Sequence, residues 1–210
     1  MCDYWIKTPG WLPWLYPNRV WRMPVQEKTI YLTFDDGPHP EITPFVLDQL
    51  RQYEAKAHFF CIGQNVDHNP ETFASIQADG HGIGNHTQHH VNGWKTSQAD
   101  YLNDVQLAAD RIDSNWFRPP YGRLRSQQAR SILSHFPKMR IAMWDVLSGD
   151  FDRFREGEDC ARLVAGYAES GSIVVMHDSE KAWDRLKICL PKTLEFFHKK
   201  GFRFEKLPDR

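Results

Sequence analysis

The sequence predicts an α/β fold built on parallel strands, and two observations carry that prediction. Short apolar runs alternate along the chain with stretches of helical periodicity, a pattern that assembles as βα units with right-handed crossovers. No low-complexity stretch or Gly/Ser linker interrupts the alternation. The 210 residues therefore suit one domain, large enough to bury a core without a disulfide scaffold. An open doubly wound sheet and a closed or nearly closed barrel both satisfy the pattern.

The first strand is expected at 29–34, where TIYLTF is apolar and rich in strand formers. A helix follows over 42–53, with Thr43 as N-cap before Pro44 at the first helical position. AKAHFFCIG makes a strand of 55–63, and an Asn-Pro start with a Gly stop brackets a helix over 69–80. A short strand at 82–86 leads into a long helix at 96–113. NWFRPPYG, 115–122, reads as a strand ending at Arg118, because Pro119 and Pro120 bar regular pairing beyond it. Helix 126–135, strand 140–146, helix 158–169 and strand 171–177 continue the series. The last helix lies within 181–199 and is expected to break near Pro191, and a strand at 202–206 brings the count to seven.

Composition narrows the partners. With 26 basic and 27 acidic residues the net charge is −1, which gives no electrostatic reason to expect nucleic acid or an anionic membrane. The first 28 residues read as an aromatic-rich arm on a single domain of 29–210. Pro9, Pro13 and Pro17 interrupt the arm, so it is read as neither signal peptide nor membrane span, and a cytoplasmic location is expected by default. The oligomeric state is not legible. Four dispersed cysteines show no metal-type pairing and suit a reducing compartment; Cys61, inside AHFFCIG, is expected to be a buried small hydrophobe. Eight tryptophans serve either packing or flat platforms for sugar rings.

The chemistry-bearing groups gather at one edge. DD ends the first strand, HTQHH follows the third, RPPY the fourth, WDVLSGD the fifth, and HDS the sixth. That C-terminal edge is where parallel α/β folds assemble active sites. His86 and His90 are four apart, so a helical turn or a bent loop brings both imidazoles to one side. Two imidazoles and one carboxylate make the protein half of an open catalytic zinc site. His89, between them, projects elsewhere. Asp35 and Asp36 begin an Asp-Gly-Pro turn, but successive strand-end residues point oppositely, which lets one carboxylate face a metal and the other a water.

TFDDGP, HTQHH, RPPYG, WDVLSGD and VMH occur in the order of the five motifs of the polysaccharide deacetylase family (NodB homology, carbohydrate esterase family 4), which residues 29 to 178 resemble. The resemblance implies a distorted (β/α)7 barrel of parallel strands. It also implies a divalent metal, zinc first with cobalt, nickel or manganese as alternatives, and removal of acetyl groups from a carbohydrate such as peptidoglycan or a chitin-like oligomer. Carried over, it makes Asp36, His86 and His90 the metal ligands, Asp35 the general base, and Arg118 its ionic partner. Tyr121 becomes the oxyanion-holding backbone N–H, His177 the general acid, and Asp150 the group that orients it. Asp145 and Asp178 receive no role. The chain departs from the pattern where Leu147 and Phe151 replace the fourth motif's first Asp and its Trp, and where Val175 replaces a Leu. These changes bear on the shape of the substrate groove. An acetyl-ester or non-sugar amide hydrolase and a non-catalytic carbohydrate-binding descendant are the competing readings.

Overall fold

The computed structural model describes residues 4–209. A short helix α1 (Leu12–Leu15) and a two-residue strand β1 (Arg19–Val20) precede β2 (Thr29–Asp35), whose seven residues are all buried. Then come α2 (Ile42–Arg51), β3 (His58–Cys61), α3 (Gly63–His68), α4 (Pro70–Ala78), β4 (Gly82–Asn85), α5 (Gln98–Ala109) and β5 (Trp116–Phe117). The chain continues through α6 (Ser126–His135), β6 (Arg140–Ala142), β7 (Val146–Leu147), α7 (Gly157–Tyr167), β8 (Ile173–His177), α8 (Trp183–Lys199) and β9 (Arg203–Phe204).

The strands lie in the order β1-β6-β5-β4-β3-β2-β8-β7, every pair parallel, with β9 paired to the start of β2. This curled sheet with helices outside it is the distorted (β/α)7 barrel. Its side-chain alternation follows from the period of two. Ile30, Leu32 and Phe34 of β2 join the layer containing Val46, Leu50, Leu190 and Leu194 of α2 and α8. Tyr31 faces the other way, into a cluster with Phe60, Trp116 and Ile173, and Thr33 and Asp35 continue that inward row.

The seam of the barrel, between β1 and β7, is stapled by the beginning of the chain. Leu147 N–H donates to Ile6 O at 2.8 Å and Thr8 N–H to Asp145 O at 2.8 Å. Met143 N–H donates to Val20 O at 2.7 Å and Met23 N–H to Gly171 O at 2.9 Å. Asp145 anchors the staple from within: it accepts from Lys7 Nζ at 2.8 Å and from Ser172 Oγ at 2.6 Å.

Several boundaries differ from expectation. The α2 N-cap is Glu41; Thr43 lies inside the helix, where its hydroxyl serves Asp178 instead. The predicted strand 140–146 is two strands at opposite ends of the sheet, β6 beside β5 and β7 beside β8, joined by the crossing residues Met143–Asp145. Pro191 does not break α8, because Leu186, Cys189, Leu190, Leu194 and Phe197 keep one buried face across it. Residues 63–68 add a helix and Arg19–Val20 a strand, both too short to show periodicity. Cys61, Cys160 and Cys189 are free and buried, while Cys2 lies outside the described residues. Among the described residues no helix is long and apolar enough to cross a membrane.

Candidate active site

Each reactive side chain sits on, or one to five residues past, the C-terminal end of a strand. Asp35 ends β2 and His177 ends β8, and the two are register partners across the parallel pair. His86 follows β4, Arg118 follows β5, and Asp150 lies three residues beyond β7. The shared direction of the strands brings these separate loops to one mouth.

Asp36 should point away from Asp35, but its φ of +80° turns the chain and swings its carboxylate back over the barrel. The turn is held from beneath. Asp178 Oδ1 accepts from Gly37 N–H at 3.1 Å, and its Oδ2 from the Thr43 hydroxyl at 2.5 Å. Gly37 is required there: a Cβ would stand 2.1 Å from Asp178 Oδ2. Burial first, and the charge of Asp36 second, push the Asp178 carboxyl up to about 7, against its two hydrogen bonds.

One carboxylate and two imidazoles converge. Asp36 Oδ1 lies 3.1 Å from His90 Nε2 and 3.7 Å from His86 Nε2, and the three donor atoms fall within 4.8 Å of one another. His86 Nδ1 lies 2.8 Å from the Arg118 carbonyl, so it carries the proton and leaves the Nε2 lone pair facing Asp36. Burial holds the His86 pKa down to about 4, which keeps that lone pair free at neutral pH. For Asp36, burial opposes ionisation, but the hydrogen bond from His90 and the fields of His177, His86 and His90 hold its carboxyl below the usual range. His90 itself sits at φ +55°, a left-handed conformation of the kind that persists only where packing enforces it. This donor set fits a divalent ion.

Two buried pairs flank the three donors. Asp35 Oδ1 accepts from Arg118 Nη1 at 2.7 Å. The same guanidinium reaches Thr33 Oγ1 at 2.7 Å and Met143 O at 3.0 Å, and stacks 4.1 Å over Phe60. Opposite, Asp150 accepts from His177 twice, from the ring Nδ1 and the backbone N–H, both at 2.8 Å. Burial alone would lower the His177 pKa. The charge and hydrogen bond of Asp150, reinforced by Asp36 and Asp35, overcome it and raise the imidazole to about 9.

These groups open into a cavity of about 370 Å³ whose walls include Tyr121, Trp144, Leu147, Phe151 and Lys181. Tyr121, at φ +58°, lays its ring 4.6 Å from that of His90. Leu147 and Phe151 make the wall apolar: the Phe151 ring meets His177 edge-on at 5.3 Å and Tyr4 at 4.9 Å. All eight sequence-predicted residues therefore belong to one neighbourhood. His89 is turned away, its Nδ1 tied to Asp104 at 2.6 Å. Sequence reasoning missed Asp178 and Tyr4. The first carried a signal, since it follows His177 at a strand end, whereas Tyr4 had none, lying in the arm far from every motif.

Comparison with known proteins agrees with this geometry. The family model for polysaccharide deacetylase matches residues 22–137. A peptidoglycan-N-acetylglucosamine deacetylase of Bacillus cereus is 35% identical over 206 residues, covering 95% of this chain and 92% of its own. A chitooligosaccharide deacetylase of Azorhizobium caulinodans is 35% identical over 75% of this chain and 77% of its own. A crystal structure of a peptidoglycan N-acetylglucosamine deacetylase, solved in complex with 4-naphthalen-1-yl-N-oxidanyl-benzamide, superposes with a TM-score of 0.83. It is 28% identical, over 96% of this chain and 95% of its own. With its five motifs, its barrel and this site, the chain belongs to the polysaccharide deacetylase family.

Proposed function

We propose that this protein is a metal-dependent hydrolase that removes N-acetyl groups from an amino-sugar polymer or oligomer, releasing acetate, with its machinery carried on residues 29–210. The observation that supports this reading is the meeting, in one cavity, of Asp36, His86 and His90 with the Asp35–Arg118 and His177–Asp150 pairs. Asp36, His86 and His90 hold the ion, and zinc suits two imidazoles and one carboxylate. When bound, such an ion polarises an acyl carbonyl and acidifies water.

The chain's own residues do the rest. Asp35, held in place by the buried Arg118 guanidinium, takes a proton from the attacking water, a step typically worth about 10²–10⁴-fold. The backbone N–H of Tyr121 holds the developing oxyanion. As the C–N bond breaks, the His177 imidazolium passes its Nε2 proton to the departing amine, while Asp150 fixes Nδ1 and the ring orientation. Acetate and a free amino sugar leave. The aromatic cavity walls offer ring-sized faces to the saccharide.

Acetate release from N-acetylglucosamine oligomers, with chelator and then with zinc, cobalt, nickel or manganese restored, tests this reading. Asp35→Asn is expected to keep its metal, by elemental analysis, while losing nearly all turnover. Activity that survives chelation, or an Asp35→Asn protein that still turns over well, would overturn it.

A further inference from the structure

Beside the catalytic cavity lies a second, larger cleft, of about 840 Å³, walled on one side by the arm. Tyr4, Tyr121, Arg123 and Trp144 line both, so a chain seated at the metal donors can run from one into the other. The two differ in their charged linings. The catalytic cavity carries Asp35 and Asp36 together with Arg123, His177 and Lys181. The cleft is lined by Arg19, Arg123 and Arg125 and by no acidic residue. Its flat faces include Trp5 and Trp94, which are 56% and 53% exposed.

None of the three guanidiniums is matched by a carboxylate among the described residues. Arg123 lies over the Trp94 ring at 4.0 Å, Arg125 is oriented by the Trp94 and Thr96 carbonyls, and Arg19 Nη2 donates to Leu124 O at 2.9 Å. Arg19 is the most telling. It is 8% exposed, its Nε has no acceptor, and a buried guanidinium without a counter-ion is costly to keep. A fork of N–H donors beside stacking faces matches a carboxylate carried on a sugar.

We propose that this arm-side cleft binds carboxylate-bearing saccharide units flanking the N-acetylated sugar in the catalytic cavity. The inference rests on the deacetylase reading and narrows it, since the preferred polymer becomes an acidic glycan rather than a neutral one. The carboxylate can belong to the sugar's own ether substituent or to an attached peptide; the recognition chemistry is shared.

The test compares KM for soluble oligomers of equal length: a peptidoglycan-derived glycan bearing lactyl carboxylates, the same glycan with its peptides, and the methyl ester of each. The free acid is expected to have a KM about tenfold below its ester, a gap that closes at high salt. Arg19→Met and Arg125→Gln, checked for folding by their melting curves, should bring the ester-to-acid KM ratio to about one. A preference confined to the peptide-bearing glycan assigns the cleft to the peptide carboxylate. Equal KM values for acid and ester, with acetate released from both, overturn the proposal and leave the deacetylase reading intact. If no oligomer releases acetate, that reading falls instead, and calorimetric binding of acid against ester to the wild-type protein still decides the cleft.

Discussion

Arg118→Met is expected to destabilise the fold by about 3–5 kcal/mol, the cost of stranding the partner of a buried ion pair. The Arg118 side chain is fully buried and that of Asp35 is 6% exposed, so water cannot replace the lost 2.7 Å bond. The Thr33 hydroxyl and the Met143 carbonyl also lose a charged donor. Asp35→Asn removes the anion but strands the guanidinium, whereas the double variant leaves neither charge of the pair. The double-mutant cycle should therefore show the two losses to be non-additive by about 2–3 kcal/mol, the upper part of the range for contacting residues. Urea unfolding of the four proteins, all in chelator so that metal binding does not add its own stability, measures this. Additivity within about 0.5 kcal/mol would refute the claim that the pair is coupled in the folded barrel.

Other predictions follow from neighbouring contacts. Asp150→Asn removes the largest of the influences that lift His177 to about 9, leaving only Asp36 and Asp35 against burial, so its pKa should fall towards the ordinary value. Because the acid must be protonated, its share at pH 8 falls below the wild type's nine-tenths or so; kcat there should drop, by about 30-fold at most were the pKa to return fully to 6.5, with the alkaline limb moving to lower pH. An unchanged limb would remove His177 from the acid role. His58, wholly buried, is held down to about 3, so below pH 6.5 the unfolded chain takes up a proton that the folded one refuses. His58 should contribute about 2 kcal/mol to the fall in stability between pH 6.5 and 5, and His58→Leu should reduce the slope by that share in thermal melts at the two pH values. Gly37→Ala forces Asp178 out from under the Asp36 turn, and metal affinity, read by titration, should weaken about 10- to 100-fold. Wild-type affinity in that variant would mean the turn needs no such support.

The legible parts of this protein were those governed by local rules. The apolar run of β2 and the polar groups just past successive strands were enough to place Asp35, His86, Arg118 and His177 on one edge, because parallel strands deliver their C-terminal ends together. Which way Asp36 faces is not a local matter. Its carboxylate is aimed by a left-handed backbone that Asp178, more than 140 residues later, holds through Gly37. The predicted strand 140–146 failed for a related reason: its halves are individually good strand formers, but they pair with distant strands, β6 with β5 and β7 with β8, a matter of topology that no local rule shows. Thr43 has the right residue type for a cap, but the demand of a buried carboxylate outweighed the demand of the helix end.

The staple across the seam has a consequence for how the chain is made. Residues 6–23 leave the ribosome well before their hydrogen-bond partners, residues 143, 145, 147 and 171. Until those emerge, the arm lacks these partners, so the seam closes only after residue 171 has been made. Closure at such sequence separation carries a loop-entropy cost that local contacts do not. The arm is thus made before the strands that seat it, and the wall that it lends to the larger cleft takes shape only once those strands exist.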